Sequence, residues 1–382
     1  MPPLLTAGFR PFFLAAAGWA VLSMAVWLPL FSGAVELPSR FDPLSWHIHE
    51  MLFGFVMAAV GGFLLTAIPN WTGRAPVAGT PLAVLVGLWL LGRVACLCSA
   101  MIAGWLVVVA DLAFAAALEV VAARELSAAG NRRNYPLLAP VIVLAIANLL
   151  MHLQSFGVAV PPGIGWRLGI AVVIVLISVI GGRIVPAFTN NWLNARGITP
   201  VPPNLFWLEN AARGTLIAAM LGWVFLPDWR ALSVLLLTAA ALNLARLVRW
   251  RGTATVEEPM LLILHVGYLW LVVGVALLGV SLVSDAVPPA AAVHALTAGA
   301  MGTMILAVMT RATLGHTGRV LRADKVTMVI YALVSASALL RIAAAWVADG
   351  QMDLFEVAAL AWLGAFALFV AEYGPMLLAP RR

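Results

Sequence analysis

The chain has 382 residues, of which 63% are hydrophobic and only 10% are charged. Soluble domains carry about 25% charged residues, so this composition excludes a soluble globular protein and indicates a polytopic membrane protein. The net charge is +6, but Lys325 is the only lysine, and no run of basic residues has the pattern of a nucleic-acid interface. We therefore expect a lipid bilayer, and no nucleic acid, as the partner.

Apolar runs long enough to cross a bilayer recur along the whole chain. About 20 helical residues cross ~30 Å of hydrocarbon, because each residue advances the helix by ~1.5 Å. We predict an all-α polytopic membrane protein with a single transmembrane domain over residues 1–382. Its twelve helices are predicted at approximately 12–32, 47–68, 81–100, 103–123, 136–157, 167–188, 206–226, 231–248, 260–283, 289–310, 326–347 and 354–378.

The distribution of basic residues predicts the orientation. Arg93, Arg213 and Arg341 lie inside predicted helices, where they can pair with acidic groups of the chain or of a cofactor. The remaining basic residues, including Arg246 and Arg249, fall in one alternating set of connecting segments, except Arg40, Arg167 and Arg230. Lys and Arg are enriched on the cytoplasmic side, so both termini are predicted to be cytoplasmic.

The second and tenth predicted helices share a motif. Each stretch begins with histidine, has glycine five residues later and ends in Thr-Gly-Arg; the two are HEMLFGFVMAAVGGFLLTAIPNWTGR (49–74) and HALTAGAMGTMILAVMTRATLGHTGR (294–319). The sixth helix has a weaker match without histidine, and the first, fifth and ninth helices each follow a proline. This pattern predicts three four-helix repeats. The alternative is that Gly and Pro are simply frequent in membrane helices.

Histidines are the most informative polar residues of the predicted spans. By distance from the helix ends, His47, His49, His152 and His294 are predicted to share a layer near the outer face. His265 lies near the cytoplasmic face, and His316 is assigned to a cytoplasmic loop. Ionisable groups within a membrane are costly and imidazole is a common metal ligand, which favours metal or haem binding. The predicted cofactor ligands are His47, His49, His265 and His294, and the same residues with His152 are the predicted metal ligands.

The start of the second helix constrains these assignments. Residues two apart on a helix point about 200° apart, so His47 and His49 cannot ligate one metal from a regular helix. Glu50 shares a face with His47, where it can either orient the imidazole or bind free backbone donors at the helix N-terminus. Cys96 and Cys98 are interpreted as ordinary core residues. Small residues around His294 allow close approach of either a helix or a flat macrocycle.

Several longer motifs resemble those of the NnrS family. They are GFRPFF (8–13), WHIHEMLFGFV (46–56), FLLTAIPNWTGR (63–74), GGRIVPAFTNNW (181–192), LHVGYLW (264–270) and the stretch 294–319. The resemblance implies a twelve-helix protein of the bacterial inner membrane that contains haem and copper and acts in denitrification and the response to nitric oxide and nitrosative stress. It leaves open whether the protein is a haem-dependent oxidoreductase, and it identifies no electron donor.

A more distant resemblance is architectural. Haem-copper oxidases and nitric oxide reductases also have three sets of four helices, with haem-ligating histidines on helices two and ten. In this chain His47 or His49 and His294 lie on those helices, but the sixth and seventh helices lack histidine. The resemblance therefore does not extend to an oxidase-type binuclear centre, and a shared fold would not establish activity.

Two other functions fit the same sequence. A twelve-helix secondary transporter is expected to have a substrate cavity near the midplane, whereas most histidines here are predicted near one face. A copper or haem assembly factor would use the same histidines for transient binding, and would hold exchangeable copper without stable haem.

Overall fold

The computed structural model describes residues 1–347 and 350–381, and within them all regular structure is helical. We label the long helices α1–α12 in chain order: Phe9–Phe31, Pro43–Thr72, Thr80–Leu97, Gly104–Ala128, Arg132–Ser155, Ile164–Asn194, Phe206–Phe225, Leu232–Arg249, Pro259–Ser281, Pro289–His316, Lys325–Ala343 and Gln351–Leu378. Among the described residues, eleven are long and apolar enough to cross a membrane. Helix α7 is more polar because Glu209, Asn210 and Arg213 lie in its first half. The predicted all-α, multi-pass membrane fold is confirmed.

Helix ends account for the differences between predicted and observed boundaries. Helix α2 begins at Pro43 because the Asp42 side chain accepts a hydrogen bond from the Ser45 backbone N–H at 3.0 Å and caps the first turn. Helix α10 was predicted to end near residue 310 but continues to His316, so the assignment of His316 to a loop is wrong. Arg246 and Arg249, predicted in a connecting segment, lie in the last turn of α8.

The Thr-Gly-Arg motif has a structural role at the ends of α2 and α10. Gly73 and Gly318 both adopt a left-handed backbone conformation, with φ of 67° and 79°. A residue in this conformation ends a helix, and it is usually glycine because a Cβ atom would make the conformation unfavourable. The preceding hydroxyls donate to carbonyls one turn back, from Thr72 to Ile68 at 2.8 Å and from Thr317 to Thr313 at 2.6 Å. The motif is therefore a helix stop.

Among the residues that the structure describes, three helices contain π-helical segments: Glu50–Val56 in α2, Ile177–Gly181 in α6 and Ala295–Gly302 in α10. These are the helices that the predicted repeat makes equivalent, and the segments in α2 and α10 begin directly after His49 and His294. Such π turns are frequent at functional sites. The threefold repeat itself stays a prediction.

The helices pack into two compact units. The first unit contains 1–169, 312–319 and 366–382, and the second contains 170–311 and 320–365. In the first, α1 packs on α2, and α3 on α4; in the second, α7, α8, α9 and α10 pack in succession and α11 packs on α10. That these units act as one transmembrane domain stays a prediction.

The motif glycines make room for tryptophans within each unit. A Cβ atom on Gly54 would lie 2.3 Å from the Trp19 side chain, and one on Gly299 would lie 2.9 Å from the Trp270 side chain. A Cβ atom on Gly302 would lie 2.7 Å from the Trp362 side chain. The small residues that follow His294 therefore serve close helix packing.

Candidate metal centre

Polar side chains from four helices meet in the interior of the first unit. They are His49 and Glu50 of α2, Arg93 and Cys96 of α3, Asp111 of α4, and Asn148 and His152 of α5, which we call the α2–α5 cluster. Arg93 and Cys96 are three residues apart, and Asn148 and His152 four apart, so each pair projects from one face of its helix. All members are at most 4% exposed, although charged groups inside a membrane helix are costly.

His49 is the most fully surrounded member of the cluster. Its Nδ1 lies 2.9 Å from Glu50 Oε1, and its Nε2 lies 2.8 Å from Asn148 Oδ1 and 3.1 Å from Asp111 Oδ2. The Phe41 ring stacks on the imidazole with centroids 4.6 Å apart. Acceptor oxygens therefore lie at both ring nitrogens, as they would around an imidazole with two N–H groups or one that binds a metal ion at Nε2.

Arg93 joins the two carboxylates of the cluster. Its Nη1 donates to Glu50 Oε2 at 2.8 Å, and its Nη2 donates to Asp111 Oδ1. Trp19 Nε1 also donates to Glu50 Oε2, at 2.8 Å. The formal charges of two carboxylates and one guanidinium sum to one negative charge. In a low-dielectric interior this charge must be balanced by a further cation.

The second histidine of the cluster approaches the same carboxylate oxygen. His152 Nε2 lies 2.9 Å from Asp111 Oδ2, and the His49 and His152 ring centroids are 5.2 Å apart. Asn148 Nδ2 donates to that oxygen at 2.8 Å. Two imidazole nitrogens therefore converge on one atom of Asp111, as neighbouring ligands of one ion would.

The donor set matches a metal site. One ligand atom from each of His49, Cys96, Asp111 and His152 can be chosen so that all lie within 4.8 Å of one another. The Glu50 carboxylate lies at His49 Nδ1, where the outer partner of a metal-ligating histidine is usually found. Two imidazoles with a thiolate favour copper or zinc, whereas a carboxylate-rich set would favour magnesium or calcium.

A cavity of about 10 Å³ adjoins the cluster, which is enough for one water-sized molecule. Arg93, Asp111 and Asn148 form its polar side, and its apolar lining includes Phe53 and Phe114.

His294 lies at the beginning of α10 in the second unit. Its Nδ1–H donates to the Ala290 carbonyl at 2.8 Å, which leaves the Nε2 lone pair for another partner. Arg341, near the end of the adjacent α11, lies within electrostatic range of this imidazole. The Arg341 guanidinium stacks over the Phe355 ring at 4.1 Å. We call His294, Arg341 and Phe355 the α10–α11 corner.

The other predicted histidines have different surroundings. His47 is half-buried and stacks on Trp27, with centroids 4.4 Å apart and an angle of 20° between the rings. His265 is buried, with Nε2 2.9 Å from the Thr189 hydroxyl, and a Cβ atom on Gly252 would lie 2.6 Å from its Nδ1. Within the described part of the chain, neither belongs to a group of three or more His, Cys or carboxylate side chains that could hold a metal. Their roles as ligands stay predictions.

Two further expectations concerned residues near the cluster. Glu50 was expected either to orient His47 or to bind free backbone donors at the helix N-terminus, and in the structure its side chain contacts His49. Cys96 was interpreted as a core residue; it is fully buried, but its thiol belongs to the metal-competent group. Cys98, two residues later, is only partly buried and lies outside that group.

Asp111 was missed by the sequence reasoning, although it is the centre of the cluster. Its signal was present, because it is the only charged residue in the first half of α4 and Arg93 lies in the preceding helix. Opposite charges inside neighbouring membrane helices usually pair.

The second unit contains another buried charge network. Arg246 Nη2 donates to Glu209 Oε2 at 2.8 Å, and Arg246 Nη1 donates to the Tyr268 hydroxyl at 2.6 Å. The Tyr268 hydroxyl in turn donates to Asn243 Oδ1 at 2.6 Å. The side chains of α7, α8 and α9 thus provide hydrogen-bond partners for one another, and these bonds link the three helices.

Comparison with known proteins agrees with the motifs. No curated protein sequence matches the chain. The family model for NnrS protein matches residues 3–381, nearly the full length. The chain, a multi-pass membrane protein with a buried metal-competent cluster, therefore belongs to the NnrS family.

Proposed function

We propose that this chain is a haem- and copper-binding protein of the bacterial inner membrane that acts in nitric oxide metabolism or nitrosative-stress defence. Transmembrane histidines hold its metals, and both termini face the cytoplasm. The observation that carries the proposal is the convergence of two imidazoles, a thiol and a carboxylate, fully buried and within 4.8 Å of one another.

Copper is assigned to the α2–α5 cluster. His49, Cys96 and His152 supply the soft and intermediate ligands that copper prefers, and Asp111 supplies an oxygen. The charges support this assignment. A cuprous ion with a neutral thiol balances the single negative charge of Glu50, Asp111 and Arg93, and a cupric ion with a thiolate gives the same balance. The matched cation also offsets part of the cost of burying that charge.

Haem is assigned to His294. A histidine that binds a metal generally has its other ring nitrogen hydrogen-bonded; His294 Nδ1 bonds the Ala290 carbonyl, so Nε2 would hold the haem. Haem iron with an accessible coordination position binds small diatomic molecules, and the polarity of the pocket decides between binding and activation. The bound haem would supply this chemistry, and turnover would require an external electron donor.

The test is an optical spectrum and a metal analysis of the full-length protein purified in detergent. The proposal predicts a Soret band that shifts on reduction, a further shift on addition of nitric oxide, and copper that stays bound through gel filtration. A well-folded protein with neither a Soret band nor copper would contradict the proposal. Copper that exchanges freely in the absence of haem would instead indicate an assembly factor.

Single substitutions separate the two sites. His294→Ala should remove or shift the haem bands and leave copper bound, whereas His152→Ala should release copper and leave the haem bands unchanged. His316→Ala is the matched control, because this exposed histidine lies at the end of α10 and outside the cluster. Unchanged spectra and copper content in both test variants would overturn the assignment.

A further inference from the structure

His49 and His294 are the first residues of the two matching motifs. In each case the following helix carries an arginine. In the first unit this is Arg93 on α3, and in the second it is Arg341 on α11. The residue after His49 is Glu50, which accepts from Arg93, but the residue after His294 is Ala295. The two arrangements therefore share a cation and differ in the carboxylate.

Arg341 has none of the anionic contacts that Arg93 has. In the described ranges 1–347 and 350–381, none of the ion pairs includes Arg341. Its Nη1 is buried and has no hydrogen-bond partner there. The stacked Phe355 ring covers one face of the guanidinium but cannot accept bonds from the in-plane N–H groups in the way that an oxygen can.

The unsatisfied nitrogen and the free imidazole nitrogen lie at the same end of the helices. His294 is near the start of α10, Arg341 is near the end of α11 and Phe355 is near the start of α12. Trp346 Nε1, just after α11, donates to the Ala286 carbonyl just before α10 at 2.7 Å, which fixes these ends together. A ligand bound to His294 would therefore be within reach of a guanidinium whose Nη1 has no acceptor among the described residues.

We propose that Arg341 binds a carboxylate of the ligand held by His294. This inference rests on the proposed function, under which the ligand is haem and the carboxylate is a propionate. Planar guanidinium and carboxylate groups form paired, charge-assisted hydrogen bonds, which are stronger than neutral ones. Arg341 thus does for the ligand what Arg93 does for Glu50 and Asp111, and makes a positioning contact away from the iron.

A simpler role for Arg341 is to extend toward the membrane surface, as long basic side chains near helix ends often do. That role places the terminal nitrogens in water or among lipid headgroups. The buried Nη1 and the stacking on Phe355 favour a bound partner inside the corner.

The test removes the carboxylate and the cation separately. Full-length protein purified from haem-limited cells is loaded in detergent with haemin or with haemin dimethyl ester, and ligand loss to apomyoglobin is measured. With haemin, Arg341→Gln should accelerate loss roughly tenfold or more, the effect of losing one charge-assisted hydrogen bond, and Arg341→Lys should recover part of it. With the dimethyl ester, the parent and Arg341→Gln should lose ligand at the same rate.

Other outcomes would overturn the inference. Equal haemin loss from the parent and Arg341→Gln would show that Arg341 does not contact the ligand, and equal acceleration with both ligands would show a purely structural role. A change in a co-purified anionic lipid, without a change in haemin loss, would reassign Arg341 to a lipid phosphate. If the parent takes up no haemin, the haem assignment fails as well, whereas uptake that depends on His294 but not on Arg341 overturns this inference alone.

Two control variants complete the design. Arg213 also lies inside a helix, but it donates to the Glu209 carbonyl and to Asn210 Oδ1 within that helix, so Arg213→Gln should behave like the parent. Asp349 lies outside the described residues and follows α11 in the sequence. Asp349→Asn should also match the parent, and if it instead reproduces the effect of Arg341→Gln, the partner of Arg341 belongs to the chain and the proposal is wrong.

Discussion

The α2–α5 cluster and the α10–α11 corner are built on the same pair of residue types but use them differently. In the cluster, the terminal nitrogens of Arg93 bind Glu50 and Asp111, and His49 is enclosed by acceptors. In the corner, Arg341 contacts an aromatic ring, and among the described residues His294 bonds a backbone carbonyl alone, through Nδ1. In the cluster, the chain provides the anionic groups, an arrangement that suits a small cation. In the corner, the anionic group would have to belong to the ligand.

The largest expected effect is on stability, and it should differ between the two arginines. Arg93→Leu leaves two buried carboxylates without their cation, which should cost about 3–5 kcal/mol of unfolding free energy. Arg341→Leu leaves no described carboxylate unpaired and should cost less than about 1 kcal/mol in ligand-free protein. Thermal unfolding of the ligand-free variants in detergent measures both. Equal losses of unfolding free energy in the two variants would contradict the difference proposed between the two sites.

The carboxylate next to His49 should control metal affinity. Glu50→Gln keeps the shape of the side chain but removes the charged acceptor at His49 Nδ1, and loss of such an outer partner typically weakens metal binding about 10–100-fold. Copper competition with a chelator measures the change. Glu119→Gln on α4 is the control, since Glu119 lies outside the metal-competent group of the described residues. An unchanged copper affinity in Glu50→Gln would remove Glu50 from the site.

The motif glycines test whether α2 and α10 are equivalent in packing. Gly54→Ala and Gly299→Ala should both destabilise the protein, by about 1–3 kcal/mol, because the added methyl group meets a tryptophan side chain. Gly54→Ala should cost more, since its contact with Trp19 is the closer one. Gly214→Ala is a matched helical control with no atom within 4 Å of the added Cβ. A loss in only one of the two motif variants would separate the two helices.

The smallest effect is expected at His265. Thr189→Val removes the hydroxyl that contacts His265 Nε2, at a cost of about 0.5–1.5 kcal/mol, and should leave haem and copper contents unchanged. The optical spectrum and metal analysis check both contents. Altered haem bands in this variant would make His265 a ligand and would place a cofactor outside both the cluster and the corner.

Sequence reasoning predicted the helices well and the centre of the cluster poorly. Hydrophobic runs of about twenty residues have few interpretations, so all twelve helices were found, with errors mainly where caps extend the ends. His49, near the start of α2, and His152, near the end of α5, were expected in one layer, and their ring centroids are 5.2 Å apart. Cys96 and Asp111 were not identified, because their importance depends on which faces of α3 and α4 turn inward, and that is decided by packing between distant segments. The π-helical turns were equally inaccessible, since they have no distinct residue pattern here.

The copper content of two cysteine variants tests the central claim most directly. Cys96 and Cys98 are two residues apart in one segment, and only Cys96 belongs to the metal-competent group. The copper-to-haem ratio is measured in purified parent, Cys96→Ser and Cys98→Ser proteins. We predict that Cys96→Ser loses most of its copper and keeps its haem bands, and that Cys98→Ser matches the parent. Copper retained in Cys96→Ser at the parent ratio would contradict the assignment of the α2–α5 cluster as the copper site.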